Sequence, residues 1–196
     1  MNGLSVILTT AVCMLIFSVC GCRGATCSDL ENCEKRIQAK TWFFLYPNYD
    51  TAEYKTKIAS TCANTDLSCV DAPNDCTDSS YRTAAKVAKE KRTFICSNDG
   101  RTMIQELPAE TKCFGNTTAL TQIDNHRLEC YATYLTPMSG VDCTAIENAR
   151  LCDKDYGLRN CGPYTRFLID RSWLARIKAE WPSCYALALA TKEKLP

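Results

Sequence analysis

The side chains here most capable of covalent chemistry are fifteen cysteines, and their number and spacing decide what that chemistry is. Cys13, Cys20 and Cys22 fall near the start of the chain. The other twelve are Cys27, Cys33, Cys62, Cys69, Cys76, Cys96, Cys113, Cys130, Cys143, Cys152, Cys161 and Cys184. None of these twelve stands in a Cys-x-x-Cys pair. The closest spacings, Cys27 to Cys33 and Cys62 to Cys69, are too wide for a zinc ribbon or finger, so no metal is expected. An even set made in an oxidising compartment implies six disulfides and leaves no thiolate for catalysis. The connectivity stays open, because twelve cysteines allow on the order of ten thousand pairings. The order of spacings nevertheless repeats. Cys27, Cys33, the cluster 62, 69 and 76, and Cys96 are echoed by Cys113, Cys130, the cluster 143, 152 and 161, and Cys184, although the flanking residues do not repeat.

The other reactive groups point to little chemistry. The single histidine, His126, sits in Asp124-Asn125-His126-Arg127, where helical phase predicts a solvated outer face. A serine or cysteine hydrolase needs a base aimed at a nucleophile, and the Cys-Cys-x-x-His-Asp arrangement of a secreted phospholipase is absent. Glycosidase chemistry needs only two carboxylates, but the acids here are scattered through helix faces and loops. No catalytic residue and no cofactor are therefore expected. Asn116-Thr117-Thr118 is an N-glycosylation sequon at an expected helix start. Lys89-Glu90-Lys91-Arg92 ends in the dibasic pair that processing proteases cut, but its mid-helix position reads as a solvated basic face.

The elements that must position these residues begin with an export signal. Leu4 to Val19 is apolar and uncharged, is too short for a membrane span, and leads to the small residues Gly21, Gly24 and Ala25. Cleavage after Gly24 removes the three early cysteines and leaves an even number. The expected organisation is a signal peptide over 1–24 and one secreted, disulfide-stapled domain over 25–196. The 23 basic and 22 acidic side chains nearly cancel, which argues against nucleic acid or another polyanion as partner.

Helical periodicity dominates the mature chain. Ser28 with Glu31 predicts a first helix toward Tyr46, whose end, the apolar run Trp42 to Tyr46, reads equally as a buried strand. Asp50 with Glu53 predicts a second, with Tyr54, Ile58 and Cys62 on its buried stripe. Residues 62–76 read as polar loop. From Ser79, Tyr81, Ala84, Ala85, Ala88 and Ile95 trace one face, with Arg82, Lys86, Lys89 and Lys91 opposite. Ser97 to Gly100 reads as a turn, and Pro108 breaks any helix tried over 101–107. Further helices are predicted from Thr117 to Leu135, from an Asp142 cap to Gly157, and from Cys161-Gly162-Pro163 to Trp181. The last carries Arg166, Arg171, Arg176 and Lys178 on one side and Trp173 and Trp181 on the other, and reads as a core helix bracketed by Cys161 and Cys184. The expected fold is all-α, a single disulfide-rich domain of five or six helices.

Thr26-Cys27-Ser28-Asp29-Leu30-Glu31-Asn32-Cys33, the loop cysteines 62, 69 and 76, and Cys161-Gly162 leading a helix to Pro182-Ser183-Cys184 carry a resemblance. The chain resembles a secreted cysteine-rich helical domain family of unknown function, found in nematodes and molluscs. That resemblance implies an extracellular helical module with no assigned catalytic residues.

The expectation is a secreted, non-enzymatic binding or signalling protein that acts through its surface on another extracellular protein. The alternatives are a venom toxin or secreted effector acting on membranes or ion channels through the Trp173/Trp181 helix, and a carrier of a small hydrophobic ligand. No stable membrane insertion is expected.

Overall fold

The computed structural model describes residues 24–41, 51–64, 66–72, 75–110, 112–135 and 141–196, and in it short polar side chains fix most helix starts. Helix α1 (Cys27–Thr41) opens on a reciprocal pair whose cap, Thr26, lies two residues before the expected Ser28 cap. Thr26 Oγ1 accepts from the Asp29 amide and Asp29 Oδ2 accepts from the Thr26 amide at 2.8 Å. Helix α2 (Thr51–Asn64) begins right after Asp50, which lies outside the described residues, as do Trp42 to Tyr46. A short α3 (Ser68–Asp71) occupies part of the expected polar loop, and the Asp66 carboxylate accepts from its first amide.

Helix α4 (Ser79–Ile95) is capped by Asp78, and α5 (Asn98–Glu106) by Ser97, whose hydroxyl accepts from the Gly100 amide. The expected turn at Ser97 to Gly100 is thus a helix start; a Ser cap followed by Asp and Gly is equally good turn and N-cap chemistry. Asn116 caps α6 (Thr117–Leu135), and Asp142 caps α7 (Cys143–Asn160), both at the expected starts. Pro163 stands in the first turn of α8 (Pro163–Glu180) as expected, and α9 (Tyr185–Ala190) follows.

The start of α8 is capped from far away. Gly162 has no capping side chain, and Glu110, more than fifty residues earlier, accepts from the amides of Tyr164 at 2.6 Å and Thr165 at 2.9 Å. A side chain at position 162 would collide with that carboxylate.

The fold is all-α, with no β-strand among the described residues. Among the described residues six helices run to 14 residues or more; of the three short ones, α3 lies in the expected polar loop and α5 starts at the expected turn.

All twelve cysteines are paired, and every pair closes within its own half. Cys27–Cys76, Cys33–Cys69 and Cys62–Cys96 tie residues 27–96; Cys113–Cys161, Cys130–Cys152 and Cys143–Cys184 tie residues 113–184. Counted within each half, both join the first cysteine to the fifth, the second to the fourth and the third to the sixth. The repeated spacing in the sequence is thus a repeated covalent plan. Loops of 22 to 49 residues each remove about 3–4 kcal/mol of unfolded-state entropy in the chain-entropy account.

Helix α8 joins the halves. One side enters the second-half core through Ile169, Trp173, Leu174 and Ile177. The other enters a first-half core of Ile58, Ile95, Met103 and Ile104 through Phe167 and Leu168. Phe94 of α4 meets Phe167 edge to face at 5.7 Å. Gly157 lets α7 approach closely, since a Cβ there would overlap Ile169.

A helix buried on both sides must bury its polar residues too. Asp170 of α8 pairs with Arg150 of α7, and both are fully buried. Arg150 also donates to both Glu147 oxygens, at 2.6 and 2.8 Å. Two ions taken from water repay the cost only while paired, so Asp170→Ala, which strands the Arg150 guanidinium, is expected to destabilise by about 3–5 kcal/mol. Urea unfolding with the disulfides intact measures this; a loss under about 1 kcal/mol would mean that Arg150 stays solvated.

Candidate functional site

Where the two halves meet, four helices leave a small recess of 50 Å³. Lys91 comes from α4, Arg127 and Tyr131 from α6, Asp153 from α7, and Ser172, Trp173 and Arg176 from α8. Lys91 lies on the apolar face of α4, since it follows Ala84 and Ala88 and precedes Ile95 at helical spacing. This corrects the expectation that Lys91 faces solvent. The mouth is aromatic and cationic. Tyr131 stacks on Trp173 at 4.8 Å, and the Arg176 guanidinium lies over Tyr131 at 4.6 Å while its Nε is 2.7 Å from Glu180.

Asp153 is fully buried. Its Oδ2 accepts from Trp173 Nε1 at 2.7 Å and from Arg127 Nε at 3.2 Å, and Arg127 also pairs with Asp124 at 2.5 Å. Asp153 Oδ1 has no hydrogen-bond partner among the described residues. Lys91 in turn has no carboxylate at ion-pairing distance among them. Burial raises the Asp153 carboxyl above the usual carboxylate range, and the donors Arg127 and Trp173 oppose it. Burial, then the Arg127 and Arg176 charges, push the Lys91 ammonium down to about 8 against the pull of Glu180. The recess therefore holds one unused donor group and one unused acceptor. It has room for the end of one polar side chain.

Every expected disulfide cysteine is placed and bonded, whereas His126 and the dibasic pair lie elsewhere than on the solvated faces expected for them. His126 is not on a wet face: its ring stacks on Tyr156 at 4.0 Å, its Nδ1 lies 3.2 Å from Glu129, and its Nε2 lies 3.7 Å from Cys152 Sγ. His126, Cys130 and Cys152 bring their ligand atoms within 4.8 Å of one another, but the two sulfurs are bonded to each other. Asn116 is exposed, with Oδ1 capping α6 and Nδ2 donating to the Lys112 carbonyl. Arg92 of the dibasic pair is buried and donates to the Thr61 carbonyl at 2.7 Å, which ties α4 to α2.

Trp173 is 3 % exposed, and Trp181 is half-buried with Arg176 over it. The expected wet side of α8 is in use as well: Arg171 lies over Phe167 at 4.6 Å. No helix among the described residues is long and apolar enough to cross a membrane. An open groove of 440 Å³ runs between α2 and α5, floored by Ile58, Ala59, Ala63 and Ile104.

Sequence reasoning missed Asp153 and Tyr131. The signal for Asp153 was present: it falls four residues after Ala149 and four before Gly157, on the stripe that α7 buries.

No family model, no curated protein and no solved structure matches this chain.

The depressed Lys91 value has a definite sign for stability. An unfolded lysine titrates near 10.5, so the burial cost is present in full below pH 8 and fades as pH rises from about 8 to 10.5. With the lysines reductively ¹³C-methylated, the NMR signal lost in Lys91→Arg is expected to titrate near pH 8. A midpoint at 10 or above would place that ammonium in water.

Proposed function

We propose that this is a secreted, non-enzymatic binding protein that acts through its surface on another extracellular protein. Three features support export: the apolar, uncharged stretch from Leu4 to Val19, six disulfides in the remaining chain, and the exposed sequon at Asn116, which we read as N-glycosylated. The kinship with secreted helical domains of nematodes and molluscs belongs to the same reading.

The observation that carries the binding role is the recess at the seam. An aromatic and arginine rim around a small pocket is the composition of a protein–protein hot spot. The Lys91 ammonium, which has no ion-pair partner among the described residues, and the buried, unpaired Asp153 Oδ1 suit a group that accepts at one end and donates at the other. A side-chain amide of a partner, Asn or Gln, offers both and fits the space.

The groove between α2 and α5 favours a second reading, a carrier of a small apolar ligand, because its floor is aliphatic. It is open on one side, whereas carriers enclose most of a ligand's surface. The toxin alternative draws less support, since Trp173 is turned into the core.

A photo-reactive amino acid at Ser172, introduced into the secreted protein and activated on the fluid and cell surfaces of the producing tissue, tests the proposal. The expected result is one adduct with an extracellular protein, lost in Lys91→Glu at unchanged circular dichroism. An adduct indifferent to Lys91→Glu, or none, would refute the seam as the binding site. Glycosidase treatment of the same material is expected to remove a glycan from Asn116.

A further inference from the structure

Beyond α9 the chain turns back over the ionic core, and the segment Thr191–Leu195 lies in the cleft between α7 and α8 as a bound peptide would. Three kinds of group recognise it. Its side chains are read first: Thr191 Oγ1 accepts from Arg150 Nη2 at 2.5 Å and donates to Glu147 at 2.7 Å, and Glu193 Oε1 pairs with Lys154 and with Arg166, each at 2.8 Å. Its backbone is read as well. The Glu193 amide donates to Asp170 Oδ2 at 3.0 Å, and the Glu193 carbonyl accepts from Arg171 at 2.8 Å. Finally, Leu195 rests against the apolar cluster around Phe167 and Leu168.

The cleft needs a carboxylate. The Lys154 side chain is 3 % exposed, and without Glu193 its nearest acid among the described residues is Asp170, 3.9 Å away and already paired with Arg150. A buried ammonium left that way is strongly unfavourable. The resident segment, in turn, does not use all that the cleft offers. Arg166 Nε and Arg171 Nε are buried with no acceptor among the described residues, although both guanidinium groups face the segment. Two idle charged donors beside the segment leave room for further acceptors of a different peptide.

We infer that the α7–α8 cleft is a recognition site for a glutamate-bearing peptide of another protein, with Thr191–Leu195 as its resident occupant in cis. The Glu193 carboxylate is read by two cations, one of them buried. The main chain at that residue is held through both its donor and its acceptor, by Asp170 and Arg171. A competing chain must displace the resident, so the site is closed by default and opens to a partner that supplies the carboxylate. This inference stands apart from the recess at the seam and survives its failure.

The test uses the full chain and a fluorescein-labelled peptide of sequence Thr-Lys-Glu-Lys-Leu-Pro, read by anisotropy. In Glu193→Gln the resident loses its charge, and the labelled peptide is expected to bind that variant at least about ten-fold more tightly than the wild type. The same peptide with Gln for Glu is expected to bind at least about ten-fold more weakly. Equal binding of the two peptides, or none to a Glu193→Gln chain with native near-UV circular dichroism, would overturn the proposal. Should that variant fail to fold, a protease site placed between the exposed Ala190 and Thr191 serves instead, cut after folding. Native mass spectrometry is then expected to show the segment still bound and exchanging with labelled peptide. Release without rebinding would overturn the proposal equally.

Discussion

Because each disulfide closes within its own half, the contact between the halves is noncovalent, and helix α8 makes most of it. It is covalently part of the second half through Cys161 and Cys184, which bracket it, yet it gives Phe167 and Leu168 to the core of the first. A helix in that position keeps little solvent face for its charges, mainly at Lys178 and Arg176. Asp170 must then find Arg150, Arg171 must lie on Phe167, and Arg176 must cover Tyr131 and Trp181. Such buried pairs add little net stability, since desolvation cancels most of their attraction, but a mispaired alternative is heavily penalised. The hydrophobic clusters and disulfides supply the stability; the ionic core selects one arrangement of α7, α8 and the segment beyond α9.

The seam recess follows from the same constraint. Where α4 and α6 meet α8 at their polar positions, packing leaves Lys91 and Asp153 facing one small space, and neither satisfies the other. A buried polar atom without a hydrogen-bond partner, as Asp153 Oδ1 is among the described residues, is uncommon in folded proteins. The repeat of disulfide connectivity adds a geometric reason for the location. Two units built on one plan, each with its sixth cysteine just after its third long helix, α4 or α8, meet along those two helices.

Much of this was legible in the sequence. The caps at Asn116 and Asp142, Pro163 in the first turn of α8, and the stripe Ile169, Trp173 and Ile177 are local signals, and the structure follows them. The sixfold order of cysteines showed the duplicated plan but not its pairing, because spacing carries no information on which helices approach. What failed was long-range. Glu110 caps a helix more than fifty residues on, and His126 packs on Tyr156 of another helix. Lys91 was placed by its charge rather than its phase, although Ala84, Ala88 and Ile95 put it on the inner face. The short α3 forms because packing and a disulfide hold it, whereas α9, Tyr-Ala-Leu-Ala-Leu-Ala, also carries strong helix propensity.

The two halves carry the same internal cross-links, and no disulfide joins them: packing and the connecting chain through α5 hold them together. Peptide mapping of the unreduced protein by mass spectrometry tests it most directly. The account predicts Cys27–Cys76, Cys33–Cys69 and Cys62–Cys96 in one half and Cys113–Cys161, Cys130–Cys152 and Cys143–Cys184 in the other. A single linkage between residues 27–96 and 113–184 would contradict it.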